Sequence, residues 1–253
     1  MPASIPLSGM AYSIIAGLAT GIGGLLAVFL GKIRRSYLNF IIGLVSGMML
    51  SISFLSLLAE ALEVAELSTT FLGLLTGFAT LLALDLAVPH LHVTLRGEGI
   101  KVDGKLIRRG IVTAFGVAMH NAPEGMAVAL TYTYRRSLGL LTALTIGIHN
   151  IPEGIITAIS MKGFNIGRGR IFMITLLSGV TEPIFAFITF FLSVGAAPFI
   201  LSFNAAFAAA AMIYITVDEL IPEAYRAGYE HSASIGLIVG ILLSIYLLRM
   251  LAT

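Results

Sequence analysis

His120-Asn121-Ala122-Pro123-Glu124-Gly125 returns 29 positions later as His149-Asn150-Ile151-Pro152-Glu153-Gly154. Each copy lies within a long apolar stretch, where an ionisable side chain is costly and marks a functional site. Residues four apart share one face of a helix, so His120 stands one turn from Glu124 and His149 one turn from Glu153. Each proline lacks an N–H for the carbonyl four residues earlier, at Met119 or Ile148, which frees that oxygen for an ion or water. Gly125 and Gly154 remove side-chain bulk just beyond the carboxylates and let the helices approach closely. Imidazole, carboxylate and amide oxygen together suit a divalent metal of borderline character. A structural His–Glu hydrogen bond would account for one copy, but it does not require the same Asn, Pro and Gly in a second.

The surrounding composition belongs to a membrane. Of 253 residues, 58% are hydrophobic and 11% charged, and mean hydropathy is +0.99; with several apolar runs of about twenty residues this describes an all-α, multi-pass integral membrane protein. The net charge of +2 comes from basic residues in loops between apolar spans, where they set orientation, so nucleic acid is excluded as a partner. With no cysteine, disulfides and thiolate ligands are ruled out. The first basic residue, Lys32, follows the first apolar run, which therefore reads as a membrane helix and not a cleaved signal.

Eight spans are expected, at residues 8–30, 37–60, 70–91, 109–133, 137–160, 169–193, 197–224 and 232–252, forming a single transmembrane domain over 1–253. Lys32, Arg34, Arg35, Arg96, Lys101, Lys105, Arg108, Arg109, Lys162, Arg168, Arg170 and Arg226 all fall in alternate loops. Those loops are therefore cytoplasmic and both termini extracytoplasmic, in a plasma or inner membrane. At 1.5 Å per residue, His120–Glu124 rise about 16–23 Å from the cytoplasmic edge and His149–Glu153 descend about 20–26 Å from the other, so the motifs overlap near the middle of a core about 30 Å thick. Glu182, in Ser178-Gly179-Val180-Thr181-Glu182-Pro183, reaches the same level. Three carboxylates there demand compensation, which one or two divalent cations would provide.

The second and seventh spans echo each other, Leu57-Leu58-Ala59-Glu60-Ala61 against Leu220-Ile221-Pro222-Glu223-Ala224, and run in opposite directions. That is the mark of an inverted repeat: three helices on each side of a central pair, a 3+2+3 arrangement. Glu60 then lies near the outer face, and Asp218, Glu219 and Glu223 line the lower half of the seventh span. Asp85, His90 and His92 close the third span on the cytoplasmic side. With Met48 and Met49 of the second span, these are the candidate pathway residues. Pairs such as Gly17/Gly21, Gly43/Gly47, Gly73/Gly77 and Gly236/Gly240 predict close helix packing.

The chain resembles the ZIP (Zrt/Irt-like) divalent metal transporters, in particular their GufA-like prokaryotic branch. The resemblance rests on the paired His-Asn-x-Pro-Glu-Gly motifs, Glu182-Pro183, Asp85 with Pro89-His90-Leu91-His92, and Asp218-Glu219-Leu220-Ile221-Pro222-Glu223-Ala224. It implies uptake of zinc, with iron, manganese and cadmium open, toward the cytoplasm through a two-metal site at mid-membrane. His120, Glu124, His149 and Glu153 would form one metal position. Asn121, Glu124, Asn150, Glu153 and Glu182 would form the other, bridged by the two glutamates. A methionine of the second span reaches the site in some relatives. Ala59 departs from the proline common before the helix-two glutamate, and relatives vary at the positions of His149 and Asn150.

The expected activity is transport, not catalysis. Zinc would be both cargo and site ligand, with no organic cofactor, and the partners are divalent cations and the lipid bilayer, with a homodimer left open. The reading from another class is an integral-membrane dinuclear metalloenzyme of hydroxylase or desaturase type.

Overall fold

Apolar runs of this length become helices because a backbone in hydrocarbon must satisfy its own hydrogen bonds. The computed structural model describes residues 6–29, 34–87, 105–162, 167–193, 195–226 and 228–250, with the backbone alone at 87, 105–119 and 160. The secondary structure described is entirely helical. In order, the helices are α1 (Leu7–Phe29), α2 (Arg35–Val64), α3 (Leu67–Ala87), α4 (Lys105–Tyr134), α5 (Arg136–Lys162), α6 (Arg168–Ser193), α7 (Pro198–Tyr225) and α8 (Glu230–Met250). Among the described residues, six of these are long and apolar enough to cross a membrane: all but α4 and α5. Those two, of 30 and 27 residues, are less apolar because they carry the His, Asn and Glu of the repeated motif. His90 and His92, expected at the end of the third span, lie outside the described residues.

Three helices contain interruptions that residue spacing does not show. In α2 the turn Ser53–Leu58 widens to a π-helix, and in α7 the turn Thr216–Leu220 does the same. Each π turn runs into the start of one of the echoing segments that carry Glu60 and Glu223. In α6 the helix is interrupted at Val180, three residues ahead of Pro183, and resumes at Thr181. Pro198 starts α7 at a position where its missing N–H costs nothing. Gly195 and Gly228 make the turns before α7 and α8 with φ of 75° and 79°, a conformation glycine adopts without strain.

The helices pack backbone to backbone. α2 lies along α8, and a Cβ added at Gly43 or Gly47 would come within 2.3 Å of the Ala233 carbonyl oxygen or 2.2 Å of that of Leu237. From the other side, a Cβ added at Gly236 or Gly240 would come within 2.1 Å of the Phe40 or Leu44 carbonyl oxygen. α3 lies on α7 through Gly73 and Gly77 in the same manner. α1 packs on α5 and α6, and α4 packs on α6 and α5. At these distances no side chain fits, which is the close approach that small residues permit in a membrane. The central core joins Met49, Ile52 and Leu57 of α2 to Leu130 of α4, Ile146 of α5 and the alanines of α7. This apolar plug fills the bundle between the repeated motifs and the end where α2 meets the α4–α5 turn.

Candidate metal centre

Two prolines inside adjoining helices, Pro123 in α4 and Pro152 in α5, place the repeated motifs side by side. Glu124 and His149 are both fully buried, and His149 Nε2 shares a 3.0 Å hydrogen bond with Glu124 Oε1. The imidazole thus pairs with the carboxylate of the neighbouring helix and not with Glu153, one turn along its own. Glu153 completes the group: Glu124, His149 and Glu153 each offer a ligand atom, and these atoms lie within 4.8 Å of one another.

The amides and the third carboxylate surround this cluster. Asn121 Nδ2 donates to the Ser178 carbonyl at 3.0 Å, and Asn150 Nδ2 donates to the Ala16 carbonyl at 2.9 Å and to Glu182 Oε1 at 2.5 Å. A carbonyl can only accept, so these contacts fix which end of each amide is the NH2. Ser178 and Glu182 lie on either side of the break in α6, and Thr181 Oγ1 donates to the same Ser178 carbonyl at 2.6 Å. The break therefore holds both the anchor of Asn121 and the third carboxylate. What remains is a set of buried acceptors without donors: Asn121 Oδ1, Glu124 Oε2, Asn150 Oδ1 and Glu182 Oε2. Leaving such groups unpaired costs roughly 1–3 kcal/mol each, more when charged, so so many at one place mark a site built for something else to fill. Oxygen acceptors beside an imidazole and carboxylates have the chemistry of a divalent-cation site.

His120 stands slightly apart. Its Nε2 lies 3.4 Å from Glu219 Oε2, so it joins the motif of α4 to the π turn of α7. Asp218 beside it is exposed, and Glu223 pairs with Arg226 on its own helix at 2.8 Å. Asp85 accepts from the Tyr214 hydroxyl at 3.4 Å. Met48 and Met49 are fully buried on α2, and the Thr216 hydroxyl, which donates to the Met212 carbonyl at 2.7 Å, lies 3.7 Å from Met49 Sδ. Glu60 is held by Arg135, 2.5 Å from its guanidinium. The structure thus assembles Glu124, His149, Glu153, Asn121, Asn150 and Glu182 in one place and sets His120 with Glu219 next to it. It does not bring Glu60, Asp85 or Glu223 into that group.

Sequence reasoning missed the backbone carbonyls of Ala16 and Ser178, the Thr216–Met49 contact and the Arg135 partner of Glu60. Carbonyls carry no residue-type signal. Thr216 had only its place two residues before Asp218 to recommend it, and Arg135 only its isolation from the basic loops on the opposite side.

Comparison with known proteins gives a consistent family. The family model described as ZIP Zinc transporter matches residues 96–248. The zinc transporter ZupT of Corynebacterium aurimucosum is 36% identical over 245 residues, covering 90% of this chain and 91% of that protein. The ZupT of Chlorobium luteolum is 37% identical over 244 residues, at 90% and 92% coverage, and that of Chlorobium limicola 34% over 259 residues, at 96% and 97%. With a family model matching more than half of its length, and relatives of this similarity along nearly all of it, the chain belongs to the ZIP zinc transporter family.

Proposed function

We propose that this protein moves zinc, and with it other divalent transition metals such as iron, manganese and cadmium, across the membrane toward the cytoplasm through a two-cation site between α4 and α5. The observation that carries the reading is the set of buried, donorless oxygens of Asn121, Glu124, Asn150 and Glu182 around the Glu124–His149–Glu153 cluster. Cations entering give up water ligands and take these oxygens and the imidazole nitrogens in return. That mixed donor set favours zinc-like ions over magnesium, which dehydrates reluctantly and seldom takes nitrogen ligands. Glu124 and Glu153, between the two helices, bridge the two positions. His120 contributes to the position nearer Glu219, and Asn121, Asn150 and Glu182 to the other. Met49, tied to Thr216, lies on the apolar side of the site.

The reading includes eight membrane spans in a 3+2+3 arrangement. Support comes from packing: if the first three helices exchange with the last three, α2 on α8 becomes α7 on α3, and both pairs are found through the same glycine-to-carbonyl contact. The π turns of α2 and α7 occupy equivalent places under that exchange. Basic residues in alternate loops put both termini outside, in a plasma or inner membrane. Release would then follow His120 and Glu219 to the exposed Asp218, with Asp85 on the facing helix.

Purified protein in sealed liposomes should carry zinc inward above the rate of empty liposomes and leave magnesium behind; zinc flux equal to that of empty liposomes would sink the reading. Asn121→Ala should keep zinc flux within about tenfold of the parent while changing the zinc-to-cadmium ratio, because a neutral ligand is lost but the bridging charge remains. A cation panel measured on the same vesicles checks both effects. Side of access is tested separately: a single cysteine at the exposed Pro222 of this cysteine-free chain should react with a membrane-impermeant maleimide from the cytoplasmic side alone. Labelling from outside would invert the orientation.

A further inference from the structure

Both helices with a π turn follow it with a glutamate paired to an arginine, but the pairs join different things. Glu223 bonds Arg226 three residues along the same helix, at 2.8 Å, so this contact ties no two elements together. Glu60 bonds Arg135, 75 positions away in sequence, in the turn between α4 and α5. The two sides of this second pair are anchored to different helices. Just past Glu60, the Ala61 carbonyl accepts from Ser202 Oγ at 2.9 Å, and the Thr70 hydroxyl donates either to Ser202 Oγ at 3.0 Å or to the same carbonyl at 3.2 Å. The end of α2 is thereby pinned to α3 and α7, whereas Arg135 rides on the helix pair that carries the metal motifs.

The carboxylate lies inside and the guanidinium outside: the Glu60 side chain is 11% exposed, that of Arg135 63%. The Glu60 hydrogen bond and its negative charge raise the Arg135 pKa further above its already high value, so the group stays a cation throughout the physiological range. Beneath the pair lies a run of hydroxyl groups on α2, α4 and α5. The Tyr134 hydroxyl is buried with no hydrogen bond, Ser56 Oγ and Thr142 Oγ1 make one long contact at 3.5 Å, and the fully buried Ser53 and Thr145 donate to the Met49 and Leu141 carbonyls of their own helices at 2.8 and 2.9 Å. At three- and four-residue spacing, Ser56 and Ser53 step along α2 from Glu60 to Met49, and Thr142 and Thr145 step along α5 to His149, so the hydroxyls form a track from the ion pair toward the Glu124 cluster.

We propose that Arg135–Glu60 is a latch between the α2–α3–α7 body and the α4–α5 pair, holding this mouth shut in the state seen here, and that its release exposes the hydroxyl track to the solvent on that side. The inference rests on the transport reading, under which one mouth must be closed while the other is open. A cross-element pair with one buried partner suits that task. Breaking it leaves a carboxylate in need of water, which favours the open, hydrated form over the closed one.

The test places one cysteine beneath the latch, Ser56→Cys, or Thr142→Cys on the facing helix should the first fold poorly. The rate of reaction with an impermeant maleimide is read from the Arg135 side of sealed vesicles. The latch predicts slow labelling in the parent background and a rise of about tenfold or more when Arg135→Gln or Glu60→Gln is added. The charge exchange Glu60→Arg with Arg135→Glu should bring the rate back down, and Arg136→Gln, the exposed neighbour, should leave it unchanged. Equal labelling with and without Arg135→Gln in both cysteine backgrounds, or the same rise with Arg136→Gln, overturns the latch. Zinc uptake by the same vesicles separates the two claims. Uptake with unmoved labelling defeats the latch alone, whereas a labelling rise in vesicles whose parent protein takes up no zinc supports the latch and defeats the transport reading.

Discussion

Glu124→Gln is expected to reduce zinc flux in liposomes by more than about 100-fold while leaving the metal-free protein as stable as the parent or more so. The substitution keeps the volume of a fully buried side chain and removes one of three carboxylates that share a water-excluded site with Glu153 and Glu182. Losing a partner of a metal ligand commonly costs 10–100-fold, and under the proposed function Glu124 is itself a bridging ligand that also holds His149, so its loss should exceed that range. Folding, in contrast, gains nothing from three buried carboxyl groups crowded together without a cation. Neutralising one removes desolvation and repulsion that the metal-free fold must carry. Thermal unfolding in detergent makes the distinction: zinc should raise the Tm of the parent, since a ligand bound to the folded state stabilises it, and should move the variant little. A variant that transports normally would remove Glu124 from the site. A variant that merely unfolds would make its role structural.

Gly125→Ala is the second large effect, and it acts through space instead of charge. A methyl group at Gly125 would sit 2.1 Å from the Glu182 carbonyl oxygen and 2.9 Å from its Cα, so α4 and α6 must separate at the very residue that supplies the third carboxylate. Overpacking of this kind costs about 1–3 kcal/mol and occasionally more. Here the displaced atoms are backbone and cannot turn aside. We expect a lower Tm together with flux reduced by about tenfold or more, and the same for Gly154→Ala, whose added methyl meets the Thr20 carbonyl oxygen at 2.0 Å. Gly147, two residues before His149, supplies the contrast. Its nearest neighbour would be the Ala16 Cα at 3.6 Å, an ordinary contact, so Gly147→Ala should be neutral or stabilising by up to about 1 kcal/mol through helix propensity. Equal Tm values for Gly125→Ala and Gly147→Ala would refute the close approach.

The pair of expectations also shows why one residue type has two meanings in this chain. In the repeated motif, Gly125 and Gly154 adjoin the candidate metal centre because they bring the backbones of α6 and α1 against the helices that carry its His, Asn and Glu. Along α2, α3 and α8 the glycine pairs make the same backbone contact far from any ligand, and there they hold the bundle together.

From its residues alone the chain declares its solvent and its chemistry. Apolar length, the loop positions of Lys and Arg, and two copies of one hexapeptide are local properties, readable without knowing what touches what. They are enough to expect membrane helices, to place Glu124, Glu153 and Glu182 at one depth and to name a divalent metal. Which groups actually meet was a matter for the tertiary structure. Each residue advances the helix face by roughly 100°, so the rotation of a helix, and every π turn that adds a residue, decides where a side chain points. Spacing could say that His120 and Glu124 share a face. It could not say that His149 would pair with Glu124 across the helix boundary while His120 turned to Glu219 on a π turn of α7. The anchoring of Asn121 and Asn150 by the carbonyls of Ser178 and Ala16, and of Glu60 by Arg135, lay equally beyond it, because a backbone carbonyl has no signature in sequence and a loop arginine no periodicity.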